Sequence, residues 1–350
     1  MPFTQGELDN IANASLDFYL KRQPFLQTIQ DRPLLDALVG AKKSFPGGKG
    51  LIDLPVKGDY TTQMVGYSHD DTVAYSNPAN IKRCYYSWKE EHAGIQITGT
   101  ELKIDGLSVT DSAIGDKTSN HSDREMTVLV NLLQDKLEDM GEGTSRSLNL
   151  QSWKDGTADP KAIAGIKSFI FDDPAVGITG GIDRSLVPWW RNRAIVTAPI
   201  VADIAKSTLC KTLRAEVRQL RRYGGNPTLA LAGSSAITSL EAEVFEKGLM
   251  TISGFQNNGK NDIGMADITM RGVGAIKYDP TLDDLGESDR IYLLDPKHVY
   301  LYAMDGEWMK QHAPARPETK YVYYRAVTVT GAIVADQLNC HGVYKVTPPV

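Results

Sequence analysis

A short stretch, GGIDRSLVPWWRNR (180–193), concentrates the residue types of this chain that are best suited to binding. Its guanidinium groups can donate paired hydrogen bonds, and its adjacent indole rings offer apolar area and faces on which cations or bases stack. This composition is typical of interface hot spots, of surfaces that bind single-stranded bases, and of loops whose tryptophans fill a local core. The candidate residues are Arg184, Trp189, Trp190, Arg191 and Arg193. Gly180 and Gly181 are predicted to permit a tight turn, and the arginines are expected to meet acidic partners within or between subunits.

Motifs for catalysis are incomplete elsewhere. PGGKG (46–50) lacks the leading glycine and the following Ser or Thr of a phosphate-binding loop, and RGVGAIK (271–277) is a lone GxG. AGSSAI (232–237) lacks the glycine that follows the serine in a nucleophile elbow, so its serines are predicted to begin a helix. Acidic pairs such as Asp70 and Asp71 lie among turn residues, which predicts solvated loops.

The cysteine and histidine residues also lack the spacing that metal sites require. Cys84, Cys210 and Cys340 lie far apart and form no CxxC pair, and the six histidines include no HExxH pattern. We therefore assign no catalytic, metal-binding or cofactor-binding residue and predict no cofactor.

Composition restricts the class of protein. The 350 residues are 41% hydrophobic, which fits a globular core, and carry a formal net charge of -5 with a sequence pI near 5.7. An acidic chain argues against a dedicated nucleic-acid binder with a strongly basic face. Because no signal peptide and no apolar run of membrane-spanning length occur, we expect a soluble cytoplasmic product without a membrane partner.

The elements that must position these residues begin with an arm that has no core of its own. Residues 4–24 are predicted as an amphipathic helix that starts with a capping box, Thr4 and Glu7, and ends at Pro24. The glycine- and lysine-rich stretch 42–50 predicts a hinge that separates this arm from the following chain.

A long β-hairpin is predicted after the hinge. Residues 51–104 contain two stretches rich in Thr, Tyr, Ile and Val around a polar, turn-rich tip. A two-stranded ribbon is marginally stable alone in water, so this ribbon must lie on another surface. The aromatic residues Tyr85, Tyr86 and Trp88 among lysines and glutamates suggest that this surface belongs to another chain.

The clearest predicted helix follows the hairpin. Ser122 and Glu125 form a capping box, apolar residues then repeat at helical spacing, and Gly141 stands where a helix-ending glycine is expected. We expect a long, well-packed strut over 122–141.

The remaining chain mixes helices and strands. A helix is predicted over about 201–223, a short buried strand at TLALAG (228–233), and a helix from Ser234 that ends before Gly248. Later strands and a β-rich C-terminal stretch complete an α+β architecture.

The order of these features resembles that of major capsid proteins of tailed bacteriophages. The most specific part is GGIDR (180–184) followed by WWRN (189–192), which resembles a signature of one group of these proteins. QITGTELKIDGL (96–107) resembles the strand before that group's spine helix, the helix after SDRE (122–125) resembles the spine, and AIAGIKSFI (162–170) resembles the segment before the signature.

The resemblance implies the Hong Kong 97-type shell fold, in which an extended hairpin lies over a neighbouring subunit. The implied units are an N-terminal arm (1–50), an extended loop (51–105), a peripheral domain with the spine helix (106–160), an axial domain (161–305) and a closing β region of the peripheral domain (306–350). Arg184, Trp189, Trp190, Arg191, Arg193, Tyr85, Tyr86 and Trp88 are then candidates for subunit interfaces.

The implied function is that of a non-enzymatic head protein whose copies form hexamers and pentamers of an icosahedral shell around double-stranded DNA. Expected partners are further copies of the chain, a separate scaffolding protein, a decoration or cement protein and the portal, with weak non-specific contact to DNA. The expected location is the virion capsid, assembled in the host cytoplasm. The alternatives are an encapsulin-like compartment shell and, less favoured, a cytoplasmic enzyme with a site near Trp189 and Trp190.

Overall fold

Two β-sheets and one long helix organise the chain. The structure is a computed structural model that describes residues 3–4, 31–48, 50–58, 62–73, 75, 81–98, 109–110, 123–203, 205–246, 268–270, 272–315 and 322–348. The predicted arm helix over 4–24, apart from residue 4, the capping residue Ser122 and Gly248 lie outside the described residues.

The described helices are α1 (Pro33–Gly40), α2 (Asp123–Trp153), α3 (Thr208–Arg221), α4 (Ser234–Glu246) and α5 (Pro280–Asp284), with a 3-10 turn at Ile166–Ser168. The described strands are β1 (Phe3–Thr4), β2 (Lys43–Phe45), β3 (Leu51–Lys57), β4 (Ile81–Ser87), β5 (Lys89–Thr98), β6 (Val109–Thr110), β7 (Ile178–Thr179), β8 (Ile182–Asp183), β9 (Arg193–Val201), β10 (Leu229–Ala232), β11 (Thr269–Met270), β12 (Gly274–Tyr278), β13 (Arg290–Leu294), β14 (Val299–Met304), β15 (Lys310–Ala315), β16 (Val322–Ala335) and β17 (Gly342–Thr347).

A six-stranded sheet has the order β11-β12-β10-β13-β17-β9. Its central strands are apolar without alternation, and all four residues of β10 are buried, because the sheet is covered on both faces. Helices α3 and α4 cover one face, and the end of α2 packs on the other. The strand predicted at TLALAG and the helix predicted from Ser234 are thus confirmed.

The helix predicted over 201–223 is shorter than expected. Val201 ends β9, which pairs in parallel with β17, and α3 begins only at Thr208. The carboxylate of the buried Glu243 accepts hydrogen bonds from the backbone N–H groups of Leu209 and Cys210, both at 3.0 Å. A side chain 33 residues away therefore supplies the cap that fixes the start of α3.

The second sheet is built on the 14-residue strand β16. In it β16 pairs with β14, β15 and β5, and β2 adds in parallel to β14. Only β3 and β4 form the predicted two-stranded ribbon, in register from Leu51 opposite Ser87 to Lys57 opposite Ile81. The next described strand of the predicted hairpin, β5, pairs with β16 instead.

The closing β region predicted at 306–350 is divided between the two sheets. Strand β16 belongs to the second sheet, whereas β17 lies between β13 and β9 in the six-stranded sheet. Strand β17 therefore pairs with two strands that lie between residues 161 and 305.

The predicted end of the long helix at Gly141 is wrong, because α2 continues to Trp153. Its second half is held by tertiary packing: Ser145 and Asn149 are 2% exposed and Trp153 is fully buried. Glycine within a helix costs about 1 kcal/mol, which such packing readily exceeds. The Trp153 indole Nε1 donates to Oδ2 of the buried Asp279 at 3.1 Å, which ties the end of α2 to the start of α5.

Candidate subunit-interface surfaces

The stretch 180–193 begins with a tight two-residue turn. Gly180 and Gly181 both have positive φ, +59° and +77°, and connect the short strands β7 and β8. Positive φ at both central residues is the geometry of the hairpin turns that favour glycine. The glycine pair therefore forms the turn that the sequence predicted.

Arg184 follows this turn and points into the subunit. Its guanidinium is fully buried and donates to Thr179 Oγ1 at 2.8 Å, to Asn192 Oδ1 at 2.7 Å and to the carbonyl oxygen of Phe169. It also lies 4.0 Å from the ring centroid of Phe171. These partners are neutral, so burial lowers the pKa of Arg184 to about 10, and the side chain still carries its charge at neutral pH.

The two tryptophans have different surroundings. Trp190 is 1% exposed, belongs to the main apolar core and donates from Nε1 to the carbonyl oxygen of Thr179 at 3.1 Å. Trp189 is half-buried, and its ring lies against Gly58 at the end of β3, where any Cβ would collide with the indole. The stretch thus contacts the base of the ribbon.

The interface interpretation of Arg184 and Trp190 is corrected by these contacts. Both side chains are enclosed by their own subunit and have no surface to offer a neighbouring one. The alternative interpretation, a loop whose tryptophan fills a local core, describes Trp190. The physical reason is that apolar area and hydrogen-bonding capacity serve an interior as well as an interface.

The other two arginines lie nearer the surface. Arg191 is half-buried and donates to the carbonyl oxygens of Arg184 at 2.7 Å and Ser185 at 2.9 Å. Arg193 forms a two-pronged ion pair with Glu216, at 2.9 and 2.7 Å, whose hydrogen bonds raise the pKa of Arg193. The acidic partner that we expected for the arginines is present for Arg193 within the subunit.

The three aromatic candidates Tyr85, Tyr86 and Trp88 also differ in how far they are buried. Tyr86 packs on its own chain and donates to the carbonyl oxygen of Ala335 at 2.8 Å, and burial raises its pKa. Trp88 is half-buried against the same apolar cluster. Tyr85 is 46% exposed and stays a candidate for contact with another subunit.

The turn and the base of the ribbon are joined directly. The backbone N–H of Tyr85 donates to the carbonyl oxygen of Gly180 at 3.0 Å. A Cβ on Gly180 would lie 2.7 Å from the Cβ of the fully buried Cys84, so only glycine permits this approach. The resulting joint fixes the direction in which the ribbon leaves the subunit.

The loop beyond the ribbon carries exposed apolar side chains. Met64 is fully exposed, and Val65, Tyr67 and Tyr75 are 81%, 73% and 95% exposed. We name residues 62–75, of which 74 is not described, the loop tip. Sequence reasoning missed it because MVGY (64–67) was interpreted as the end of the first strand of the hairpin, and only residues 68–80 were interpreted as a polar tip.

Two polar clusters also escaped sequence reasoning. His298 Nδ1 lies 2.8 Å from Asp336 Oδ1, and Tyr300 donates to Asp336 Oδ2 at 2.8 Å. The second is the joint between Trp153 and Asp279. Neither has a local sequence signal, because 38 residues separate His298 from Asp336 and 126 separate Trp153 from Asp279.

The described part of the chain holds neither a cluster of metal ligands nor a membrane-spanning helix. There, no three His, Cys, Asp or Glu residues converge as metal ligands would. Among the helices described above, none has the length and apolar character needed to cross a membrane.

No protein-family model and no curated protein matches this sequence. Solved phage capsids are similar in fold. The capsid asymmetric unit of cyanophage A-1(L) matches with a TM-score of 0.65 at 14% identity, over 91% of this chain and 93% of that chain. The mature capsid of bacteriophage PhiM1 matches with a TM-score of 0.52 at 9% identity, over 87% of this chain and 85% of that chain.

The capsid of Myoviridae phage XM1 matches with a TM-score of 0.50 at 9% identity, over 92% of this chain and 94% of that chain. These similarities confirm the predicted fold class, α+β with the Hong Kong 97-like fold of phage capsid proteins. Since each spans most of both chains, the likeness concerns the whole architecture.

Proposed function

We propose that this chain is the major capsid protein of a tailed double-stranded DNA phage, and that its copies form hexamers and pentamers of an icosahedral shell. Its role is structural, and it resides in the virion capsid after assembly in the host cytoplasm. The capsid fold and one further observation support this: a ribbon with a fixed base presents an apolar tip that no described residue of its own subunit covers.

Among the described residues, the loop tip holds the most exposed large apolar side chains. Fully burying a Met or Val side chain stabilises by about 1.5–3 kcal/mol, so Met64, Val65 and Tyr67 together offer several kcal/mol before the entropy of ordering the loop is subtracted. A contact between the tip of one copy and a different surface of the next is heterologous, and repetition of such contacts gives a ring where the rotation between copies closes. Rings of subunits are the units from which a shell is built.

The rigid base gives this contact a direction. Trp189 packs on Gly58, Gly180 meets the ribbon at Cys84, and Tyr86 bonds to β16. Three separate anchors fix the base of the ribbon relative to the two sheets, which limits the directions from which the tip can reach a neighbouring copy. The burial of Arg184 and Trp190 thus serves assembly indirectly, by positioning the ribbon.

An enzymatic site near Trp189 and Trp190 is not favoured by this geometry. Arg184 and Trp190, the residues such a site would use, are at most 1% exposed, and a substrate would have to displace packed side chains to reach them. The partners beyond further copies of the chain, which are a scaffolding protein, a decoration protein, the portal and packaged DNA, belong to the same proposal.

Assembly of the full-length chain tests the proposal. Recombinant protein, alone or with its scaffolding protein, should sediment as rings or shells and appear as such in negative-stain images. The variant Met64→Ser/Val65→Ser/Tyr67→Ser should remain folded but sediment as a monomer. The control Val201→Ser removes a side chain that is 55% exposed outside the ribbon and should assemble normally.

A wild-type chain that stays monomeric even with its scaffolding partner would overturn the proposed function. Assembly of the triple variant at the wild-type yield would overturn the role of the loop tip. Particles that enclose a host enzyme rather than DNA would indicate the compartment shell instead.

A further inference from the structure

The outward face of α3 carries charge of one sign. Lys211, Arg214 and Arg218 are exposed on it, and Arg222 continues the row because its φ of -56° and ψ of -33° remain helical. At 3.6 residues per turn these four residues fall within an arc of about 80°. We name them the basic stripe.

No described residue of its own subunit neutralises the stripe. Among the ion pairs of the described residues, none involves any of its four members, and Arg222 has only a ring contact with Tyr223. Residues 205–223 contain six basic residues and one acidic residue, Glu216, which is already bonded to Arg193. This concentration stands out in a chain whose net charge is -5.

Helix stability does not account for the stripe. Basic residues stabilise the C-terminal turn of a helix, which explains Arg218 and Arg222, but Lys211 lies in the first turn, where the helix dipole disfavours a cation. The opposite face anchors α3 through buried side chains, namely Leu209, Leu213, Val217 and Leu220. The fold therefore does not depend on the stripe.

The chemistry of the stripe fits phosphate groups. Arginine presents a planar fork that bonds two phosphate oxygens, and three of the four residues are arginines. The exposed positions of α3 are all polar or charged, whereas the centre of a protein interface is apolar. A rigid row of cations about 4.5–6 Å apart along a helix suits a regular polyanion better than a folded protein.

We propose that the basic stripe binds the phosphate backbone of double-stranded DNA, without sequence preference. The inference rests on the proposed function, in which the shell encloses such DNA, and it names the surface that meets the genome. If the four residues contact four phosphates, the association constant falls about 150-fold between 50 and 200 mM salt. Such binding is weak enough at cellular salt to release DNA.

The test measures binding of a fluorescent 20-base-pair duplex to the unassembled full-length chain by anisotropy, between 50 and 200 mM NaCl. The variant Lys211→Gln/Arg214→Gln/Arg218→Gln keeps helix propensity, and its melting temperature should match the wild type. Because this variant keeps one phosphate contact, its association constant should fall only about 4-fold between 50 and 200 mM NaCl. At 50 mM NaCl it should bind the duplex at least about tenfold more weakly than the wild type does.

A control variant removes the same charge elsewhere. Lys82, Lys154 and Lys161 are exposed, and changing all three to Gln should leave the salt dependence unchanged. Equal losses in both variants, or wild-type binding by the stripe variant, would overturn the inference. So would loss of shell formation with DNA binding unchanged, since the stripe would then be a protein interface. Failure of the wild type to form shells rejects the proposed function instead, whatever the duplex shows.

Discussion

Replacing Arg184 by Met tests how much the buried guanidinium holds the turn to the rest of the subunit. The side chain is fully buried and makes three hydrogen bonds, to Thr179, Asn192 and Phe169. Hydrogen bonds of charged groups contribute about 1.5–3 kcal/mol each. The methionine side chain fills part of the space, and its apolar burial stabilises the folded state by about 1–2 kcal/mol. Asn192 Oδ1 still accepts a hydrogen bond from the Phe171 N–H, so it is not left without a donor.

The expected net loss in free energy of unfolding is about 2.5–8 kcal/mol. For 350 residues that unfold cooperatively, this corresponds to a melting temperature lower by about 3–11 °C. Differential scanning calorimetry of the unassembled chain measures it. Arg191→Met is the matched control: it removes two hydrogen bonds to carbonyl oxygens at a half-buried site that water can reach, so its loss should be about 1 kcal/mol. Equal shifts in the two variants, or a shift below about 1 °C for Arg184→Met, would refute the reasoning.

Three further predictions concern turn geometry, a thiol and pH. Gly180→Ala should destabilise more than Gly181→Ala in thermal unfolding, because both have positive φ but only at residue 180 would the Cβ meet Cys84 at 2.7 Å; equal losses would contradict this. Burial raises the pKa of the Cys84 thiol to about 12, so mass spectrometry should find it unmodified after thiol alkylation of the folded chain at pH 8 and modified after unfolding. The hydrogen bond to Asp336 raises the pKa of His298, so its stabilising effect is complete below the ordinary histidine pKa and is lost as pH rises through the raised value. The melting temperature of His298→Gln should therefore fall below the wild type more at pH 5.5 than at pH 9, and a constant difference would argue against the pair.

Local patterns predicted what depends on neighbouring residues. The glycine pair at 180–181 indicated a tight turn, the apolar spacing within the helix predicted over about 201–223 indicated one buried face, and the β-branched stretches indicated the ribbon. Each of these follows from backbone sterics or from the period of a helix or strand, which a short segment contains in full.

Contacts between distant segments could not be predicted in this way. Packing of the end of α2 carries that helix past Gly141, and the carboxylate of Glu243 determines where α3 begins. Pairing with β16 takes β5 away from the hairpin. In each case a partner from elsewhere in the chain outweighs a local preference worth about 1 kcal/mol or less.

The sequence by itself determined the fold class, the order of the elements and the residue types of the turn that follows Gly180. Only the tertiary structure decided which way those side chains point. A buried guanidinium needs oxygens on several sides, and Arg184 finds them on Thr179, Asn192 and Phe169 once the chain has folded around it. The loop tip, by contrast, finds no cover within the described residues of its own chain, and the proposed contact with a neighbouring copy rests on this exposure.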